Sequence, residues 1–520
     1  MTYLTVPIAA PDIEKAKQQI KSALAAGAEM FELRIDYLEN LNKELLENLI
    51  SAARAIIGKA VPIIVTCRDI EQGGANYYPD HLRAELLSHA LMLGANYIDF
   101  EYDKFLASFE NQEKIKVALS SSLKGKLIMS AHNFESKFDN IEKLYRHIIT
   151  LYPAAVPKLV YKANHINDCF PAFDLLNRTS GERIIFCMGP AGVISRIIAK
   201  KLGSLVSFAA IDEKNATAPG QLTIKQLKDL YRFNSITPDT QLYGVIASPV
   251  AHSMSPHIHN SSFAKAKLDK LYLPLLVDGG QDGFNEFMKN ILARNWLDFK
   301  GFSITLPHKQ NALKFIREKN GVVEPLARRI GAVNTLIIGQ ENLLGYNTDC
   351  KGAIDAIISG LEITKDDFKD MPVAVIGAGG VSRAVVAGLT DAGAKVKIYN
   401  RTVEKAQQLA SDFRCSYAGL DDLKDIDAKL LINCTSIGMH PDIDSTPVPK
   451  EFLKKQIAVF DTVYNPPETT LLKLTKQKKA KVVDGVSMFV NQALAQFELF
   501  TGQKGNAKLM RKTVCDCLAD

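Results

Sequence analysis

An apolar run, a glycine turn and a helix start follow one another at Val373-Ala374-Val375-Ile376 and Gly377-Ala378-Gly379-Gly380-Val381-Ser382-Arg383-Ala384. Few folds accept that order, because it carries backbone N–H groups up to a pyrophosphate at a helix N-terminus, where the helix dipole favours an anion. A glycine turn alone also occurs in unrelated α/β units, and Ser382 stands where a third glycine often sits. The end of the next strand, Lys395-Val396-Lys397-Ile398-Tyr399-Asn400, narrows the reading. NAD-binding chains usually place a carboxylate there for the ribose hydroxyl, whereas here Arg401 and Thr402 follow Asn400. A guanidinium suits a 2′-phosphate. The predicted cofactor is therefore NADP, held by Gly377, Ala378, Gly379, Gly380, Val381, Asn400, Arg401 and Thr402.

A chain of 520 residues exceeds one ordinary core, so roughly two to four domains are expected. No apolar run approaches the length of a bilayer span, and Met1-Thr2-Tyr3-Leu4-Thr5-Val6-Pro7 lacks a charged leader followed by an apolar stretch. These features predict a cytoplasmic chain with no membrane partner. A net charge of +6 from dispersed basic residues predicts no nucleic-acid partner and is compatible with anionic small molecules. The cysteines form no CxxC pair, and Cys515-Asp516-Cys517 reads as reduced thiols, so no metal is expected.

From the start to about Phe233, short apolar runs alternate with amphipathic ones. Strands are predicted at Leu4-Ile8, Met30-Ile35, Val61-Cys67, Tyr97-Glu101, Lys126-Ser130, Lys158-Tyr161, Arg183-Cys187 and Leu205-Ile211. Helical patterns such as Glu14-Ala26, His81-Leu93, Ile141-Leu151 and Gln221-Arg232 separate them. This alternation predicts a closed (β/α)8 barrel, whose chemistry sits at the C-terminal strand ends. Glu32 and Arg34 then lie on strand two, Arg68 closes strand three, and Asp99 and Glu101 end strand four. His132 follows strand five and Lys158 opens strand six. A lysine, a histidine and several arginines suit iminium chemistry on an anionic carbonyl compound. Aldolases share that logic, so residue types leave the reaction open.

Asn234-Ser235-Ile236-Thr237-Pro238-Asp239-Thr240 reads as a linker. Beyond it another α/β segment runs to about Leu344, and the last helical pattern, Val490-Thr501, is expected to pack back onto it. Ser253 and Ser255 precede a helix in an arrangement that can hold a carboxylate. Lys309 follows a strand, and Asp349 supplies a carboxylate that could pair with it for proton transfer to an alkoxide. His252, His257 and His259 have no acidic or cysteine partner at ligand spacing, so they are read as non-ligands.

The strings Ser253-Met254-Ser255-Pro256, Thr305-Leu306-Pro307-His308-Lys309, Gly331-Ala332-Val333-Asn334-Thr335, Asn347-Thr348-Asp349 and Asp484-Gly485-Val486-Ser487 resemble shikimate dehydrogenase, from about Leu242 to the C-terminus. The resemblance implies that Ser253 and Ser255 bind a substrate carboxylate. It implies further that Thr305, Asn334 and Gln492 meet ring hydroxyls, Tyr464 lies near the substrate, and Lys309 with Asp349 forms the catalytic pair. Phe31-Glu32-Leu33-Arg34, Arg68 before Gly73-Gly74, Ser130-Ala131-His132-Asn133, Val193-Ile194-Ser195-Arg196 and Ala218-Pro219-Gly220-Gln221 resemble type I 3-dehydroquinate dehydratase over about Leu4 to Phe233. By that resemblance Lys158 forms an imine, His132 is the general acid/base, and Glu32, Arg34, Arg68, Arg196, Thr217 and Gln221 bind substrate.

The chain departs from the dehydratase pattern where Gln72, preceded by Glu71, replaces the usual glutamate before the paired glycines. This leaves open what orients His132, with Asp99 and Glu101 as alternatives. Thr217 occupies a position commonly serine. Lys162 lies on the same strand face as Lys158 but further toward the loop, which favours Lys158.

The implied architecture is α/β throughout: a barrel at 1–233, a linker at 234–240, an α/β shikimate-binding domain at 241–345 plus 490–520, and a Rossmann NADP domain at 346–489. The implied reactions convert 3-dehydroquinate to 3-dehydroshikimate and then to shikimate with NADPH, as in a fused bifunctional enzyme of the cytoplasm or, if processed, of a plastid. Two alternatives are a quinate/shikimate dehydrogenase with a weakened dehydratase barrel and a non-catalytic ligand sensor. The intact Lys309/Asp349 and His132/Lys158 sets argue against the sensor.

Overall fold

Strands buried on both faces read as continuous apolar runs, and all eight runs of the first half form such strands. They are β1 Tyr3–Ile8, β2 Met30–Arg34, β3 Ile63–Thr66, β4 Tyr97–Glu101, β5 Lys126–Asn133, β6 Val156–Lys162, β7 Ile184–Met188 and β8 Val206–Phe208. In the computed structural model they form one sheet in the order β7-β6-β5-β4-β3-β2-β1-β8, with β1 pairing in parallel to both β2 and β8. The result is a nearly closed parallel barrel. At the seam between β7 and β8 the chain makes a local contact, Leu205 N donating to Arg183 O at 2.8 Å. The structure describes every residue except Ala216, Pro219 and Asp520, together with all side chains but those of Asn215, Asp425 and Ala519. Pro219 of the predicted Ala218-Pro219-Gly220-Gln221 motif thus lies outside the described residues.

Side-chain caps fix several of the helices between strands. Asp12 accepts from Lys15 N ahead of Ile13–Ala26, and Asn140 accepts from Lys143 N ahead of Ile141–Leu151. Inside the barrel, Met30, Ile64, Ile128, Val156, Ile184 and Val206 belong to one apolar cluster. Two residues further along their strands come Glu32, Thr66, Ser130 and Lys158, all buried. Alternation along each strand therefore stacks a polar layer on an apolar one, toward the strand ends.

Three local readings need correction. β5 continues through Asn133, so His132 lies within the strand rather than after it. β6 begins at Val156, because Ile128 and Met129 of β5 pair with Val156 and Pro157, and Lys158 sits inside the strand. The pattern Gln221-Arg232 is helical only from Ile224, with a π turn at Gln226–Leu230. Thr223 Oγ1 accepts from Gln226 N at 3.1 Å and sets that later start, which leaves Gln221 in the preceding loop.

The chain divides into two compact units, Met1–Thr240 with Leu275–Asp278, and Gln241–Pro274 with Gly279–Asp520. In the second unit, β9 Gln241–Ala247, β10 Lys270–Leu276, β11 Phe299–Ile304, β12 Val322–Val323, β13 Thr335–Ile338 and β14 Leu343–Tyr346 form a mixed sheet ordered β10-β9-β11-β13-β14-β12. The helix Gly485–Thr501 covers it: Val490, Ala493, Phe497 and Phe500 pack with Tyr243, Val245 and Phe263, as the apolar pattern predicts.

A second sheet contains β15 Pro372–Ile376, β16 Lys395–Tyr399, β17 Ser416–Ala418, β18 Leu430–Asn433, β19 Ala458–Asp461 and β20 Val482–Val483. Its order is β17-β16-β15-β18-β19-β20, with every pair parallel. The order reverses beside β15. That is the Rossmann arrangement, and its ligand crevice opens at the reversal, where the glycine turn lies.

Candidate functional site

The barrel holds a cavity of about 90 Å³ lined by Glu32, Arg34, Arg68, His132, Lys158, Arg196, Thr217 and Gln221. Lys158 Nζ donates to Asp99 Oδ2 at 2.7 Å and lies 3.5 Å from Glu32 Oε1. Asp99 also accepts from Arg68 Nη2 at 2.7 Å and from Ser130 Oγ at 2.6 Å. Burial alone would raise the Asp99 carboxyl, but the charges of Arg68 and Lys158 hold it well below the usual carboxylate range. Lys162, further along β6, is exposed and does not line the cavity. Burial of His132, with the nearby charges of Arg68 and Lys158, presses its imidazole well below its ordinary value. It is therefore neutral at neutral pH and able to accept a proton.

The three arginines differ in what they hold. Arg34 is tied to Asp36 by two hydrogen bonds of 2.8 Å, and Arg68 to Asp99 and Glu101. Arg196 is buried with its guanidinium 4.5 Å from the Phe186 ring centroid, and its Nε and Nη2 have no hydrogen-bond partner among the described residues. Burial lowers it to about 10, so it remains a cation needing an anion. Thr217 donates through N and Oγ1 to Gln221 Oε1 at 2.8 and 3.2 Å, joining two predicted contacts into one loop. The departure at Gln72 is filled by contact: Gln72 Oε1 lies 3.0 Å from His132 Nδ1.

The second unit has a larger cavity of about 390 Å³, which collects Ser253, Ser255, Thr305, Lys309, Asn334, Asp349, Tyr464 and Gln492. Lys309 begins the helix Lys309–Glu318, and Asp349 lies in the first turn of Thr348–Leu361, whose cap Asn347 accepts from Asp349 N. Lys309 Nζ donates to Asp349 Oδ2 at 2.6 Å. Buried Asn334 accepts from Thr348 N at 2.8 Å and donates to Thr348 Oγ1 at 2.9 Å, which holds the start of the Asp349 helix. Tyr464 is stacked on Phe489 with ring centroids 4.5 Å apart.

Above the Rossmann sheet, Gly377 has φ +105°, and an added Cβ would meet Thr435 Cγ2 at 3.0 Å. Glycine is required there by both the backbone and the space. Gly379 and Gly380 face open space at the N-terminus of Gly380–Asp391, and Gly379 N donates to Ser382 Oγ at 3.2 Å. The serine in place of the third glycine thus caps the helix and shapes the loop. Arg401 is exposed with no hydrogen bond or ion pair among the described residues, while Asn400 Nδ2 holds the turn through Thr402 O at 2.8 Å. An open glycine loop beside an unpaired guanidinium fits a dinucleotide bearing a 2′-phosphate.

Family models agree with this division. Type I 3-dehydroquinase matches residues 4–238, the shikimate dehydrogenase substrate binding domain 245–336, shikimate / quinate 5-dehydrogenase 361–461, and the shikimate 5'-dehydrogenase C-terminal domain 485–515. A chloroplastic bifunctional 3-dehydroquinate dehydratase/shikimate dehydrogenase of Arabidopsis thaliana is 37% identical over 96% of this chain and 82% of its own length. The chain belongs to the bifunctional 3-dehydroquinate dehydratase/shikimate dehydrogenase family. Its second half is also 40% identical to the NADP(+) shikimate dehydrogenase of Methanosarcina acetivorans, over 54% of this chain and 99% of that one. A crystal structure of shikimate dehydrogenase in complex with NADP+ superposes with TM-score 0.50 at 34% identity, covering 55% of this chain and 98% of that chain.

Within this family member, the larger cavity includes residues that sequence reasoning missed. Ser303, Gln496, Thr462 and Met488 also line it. Ser303 Oγ donates to Gln496 Oε1 at 2.8 Å, and Gln496 Nε2 reaches Thr335 Oγ1 at 3.2 Å, a buried polar chain under the cavity floor. Gln496 is one helical turn beyond Gln492 on the covering helix, a spacing that could have exposed it.

Proposed function

We propose that the chain carries out two consecutive steps of the shikimate pathway, dehydration of 3-dehydroquinate to 3-dehydroshikimate and NADPH-dependent reduction of that product to shikimate. The observation that carries this reading is that each unit assembles its own proton-handling set in a cavity: His132 with Lys158 in one, Lys309 with Asp349 in the other.

In the barrel, Lys158 attacks the ketone and loses water to form a cationic iminium, which acidifies the adjacent carbon. Neutral His132 takes the proton from that carbon and returns one to the departing hydroxyl, which leaves as water; a second water then hydrolyses the iminium and frees the lysine. Arg196, whose Nε and Nη2 are unpartnered among the described residues, is the main receptor for the substrate carboxylate. Arg34, Arg68 and Glu32, oriented by their own buried partners, complete the pocket with Thr217 and Gln221.

In the second unit, Ser253 and Ser255 bind the carboxylate, Thr305, Asn334 and Gln492 meet the ring hydroxyls, and Tyr464 packs beside the ring. NADPH, held over Gly377–Val381 and Asn400–Thr402, supplies the hydride when bound. Lys309 donates a proton to the oxygen of the reduced ketone, and Asp349 orients its ammonium group. The substrate domain comprises 241–345 and 490–520. The chain acts in the cytoplasm or a plastid without a nucleic-acid partner; among the described residues no helix is long and apolar enough to cross a membrane.

The test adds 3-dehydroquinate and NADPH to the whole chain and follows enone absorbance and NADPH loss together. Enone that forms and is consumed as NADPH disappears is expected. Enone without NADPH loss would confine activity to the barrel.

A further inference from the structure

His132 is met twice by one side chain. Gln72 Oε1 accepts the His132 backbone N–H at 3.2 Å and lies 3.0 Å from its Nδ1, while Gln72 Nε2 donates to Asp103 Oδ1 at 2.9 Å. Two independent contacts therefore fix which end of the amide is oxygen: a carboxylate can only accept from the nitrogen, and a backbone N–H can only donate to the oxygen. An amide oxygen cannot donate, so the hydrogen between it and the ring must belong to Nδ1. The lone pair is left on Nε2, which has no hydrogen-bond partner among the described residues. The neighbouring carboxylates are engaged elsewhere. Glu71 accepts from Lys104 at 2.7 Å, and Glu101 and Asp99 hold Arg68.

We propose that Gln72 is a positioning residue for the dehydration: it locks His132 in the Nδ1-protonated tautomer, with Nε2 as the base, and does so without adding a negative charge. The inference rests on the assignment of His132 as general acid/base made above. Charged groups that line the cavity with His132 are Glu32 and Arg34 from β2, Arg68 after β3, Lys158 from β6 and Arg196, with Asp99 from β4 bonded to Lys158 and Asp103 behind the Gln72 amide. The strongest of these charges, Arg68 and Lys158, oppose protonation of the ring, as does Arg34, and Asp99 favours it. A neutral partner at Nδ1 leaves this balance in place, so His132 stays an unprotonated base to lower pH than it would beside a carboxylate. The side chain thus sets the acid limit of the dehydratase as well as the ring's orientation.

The test uses the full chain with 3-dehydroquinate and compares kcat/KM against pH for the wild type, Gln72→Glu and Gln72→Leu. Gln72→Glu keeps an acceptor and adds charge, so its acid limb is expected to move up by about one pH unit with activity retained on the plateau. Gln72→Leu removes the acceptor and is expected to lower kcat about tenfold or more with KM little changed. A Gln72→Glu profile that superimposes on the wild type, or an unimpaired kcat in Gln72→Leu, would overturn the proposal. Ring ¹⁵N shifts of His132 give a reading independent of turnover: Nδ1–H is expected in the wild type, and Nε2–H would reject the assignment. His132→Ala separates the two layers of argument. Dehydration surviving in that variant would remove His132 from the reaction, whereas an inactive His132→Ala beside an unmoved Gln72→Glu profile would reject only the role of Gln72.

Discussion

Lys309 Nζ lies 2.6 Å from Asp349 Oδ2, and the two residues stand at the beginnings of different helices, Lys309–Glu318 and Thr348–Leu361. Asn334 joins the second helix start to the sheet through Thr348, so the pair is held by backbone rather than by its own contact alone. Lys309→Ala should lower kcat for shikimate oxidation by on the order of 10²-fold or more while NADPH still binds. The barrel reaction should persist in the same preparation. Near-normal shikimate oxidation would remove Lys309 from the mechanism.

Cofactor choice should depend on Arg401. Its guanidinium has no partner among the described residues, so an added 2′-phosphate gains a charge-assisted contact without breaking one of those. Arg401→Ala is expected to weaken NADPH binding by about 1.5–3 kcal/mol and leave NADH nearly unchanged, as read by fluorescence titration of both nucleotides. Equal losses for the two would move the 2′-phosphate contact elsewhere.

Borohydride with 3-dehydroquinate should trap an adduct on the peptide containing Lys158, which is buried among Asp99, Glu32 and Phe208 in the cavity. Lys158→Ala should abolish both adduct and dehydration and spare NADPH-dependent reduction of 3-dehydroshikimate. Mass spectrometry locates the adduct. Finding it on exposed Lys162 would mean that an outer lysine does the chemistry, and turnover with no adduct on either would exclude an imine.

Asp99 should make barrel stability acid-sensitive. Its folded carboxyl is held below its unfolded value, so its contribution is fully present above the unfolded value of about 4 and is lost as pH falls through the more acidic range. Asp99→Asn leaves Arg68 and Lys158 without their shared counter-charge and should cost about 3–5 kcal/mol near neutral pH. Calorimetry of the barrel transition reads both effects. A melting temperature unchanged by the substitution at pH 7, or a wild-type transition that does not fall on acidification, would contradict this account.

The sequence by itself determined the eight barrel strands, the two strands on either side of the glycine turn and the strand-end placement of much of the barrel chemistry. Those features are local: a parallel strand buried on both faces must be apolar along its length, and a glycine turn before a helix shows in consecutive residues. Tertiary structure decided the choices that depend on closure. Lys158 and Lys162 share a strand face, yet Lys158 is buried in the polar layer and Lys162, the last residue of β6, stands in solvent. Arg34, Arg68 and Arg196 are alike in sequence, and only packing shows two of them bound to carboxylates and the third resting on Phe186 with Nε and Nη2 unpartnered among the described residues. Gln72 reads as a lost glutamate until β5 runs on to Asn133 and brings His132 against its amide. Each of these outcomes depends on contacts between segments distant in the chain, and such contacts leave no trace in local periodicity because they are set by how the strands are arranged around the barrel.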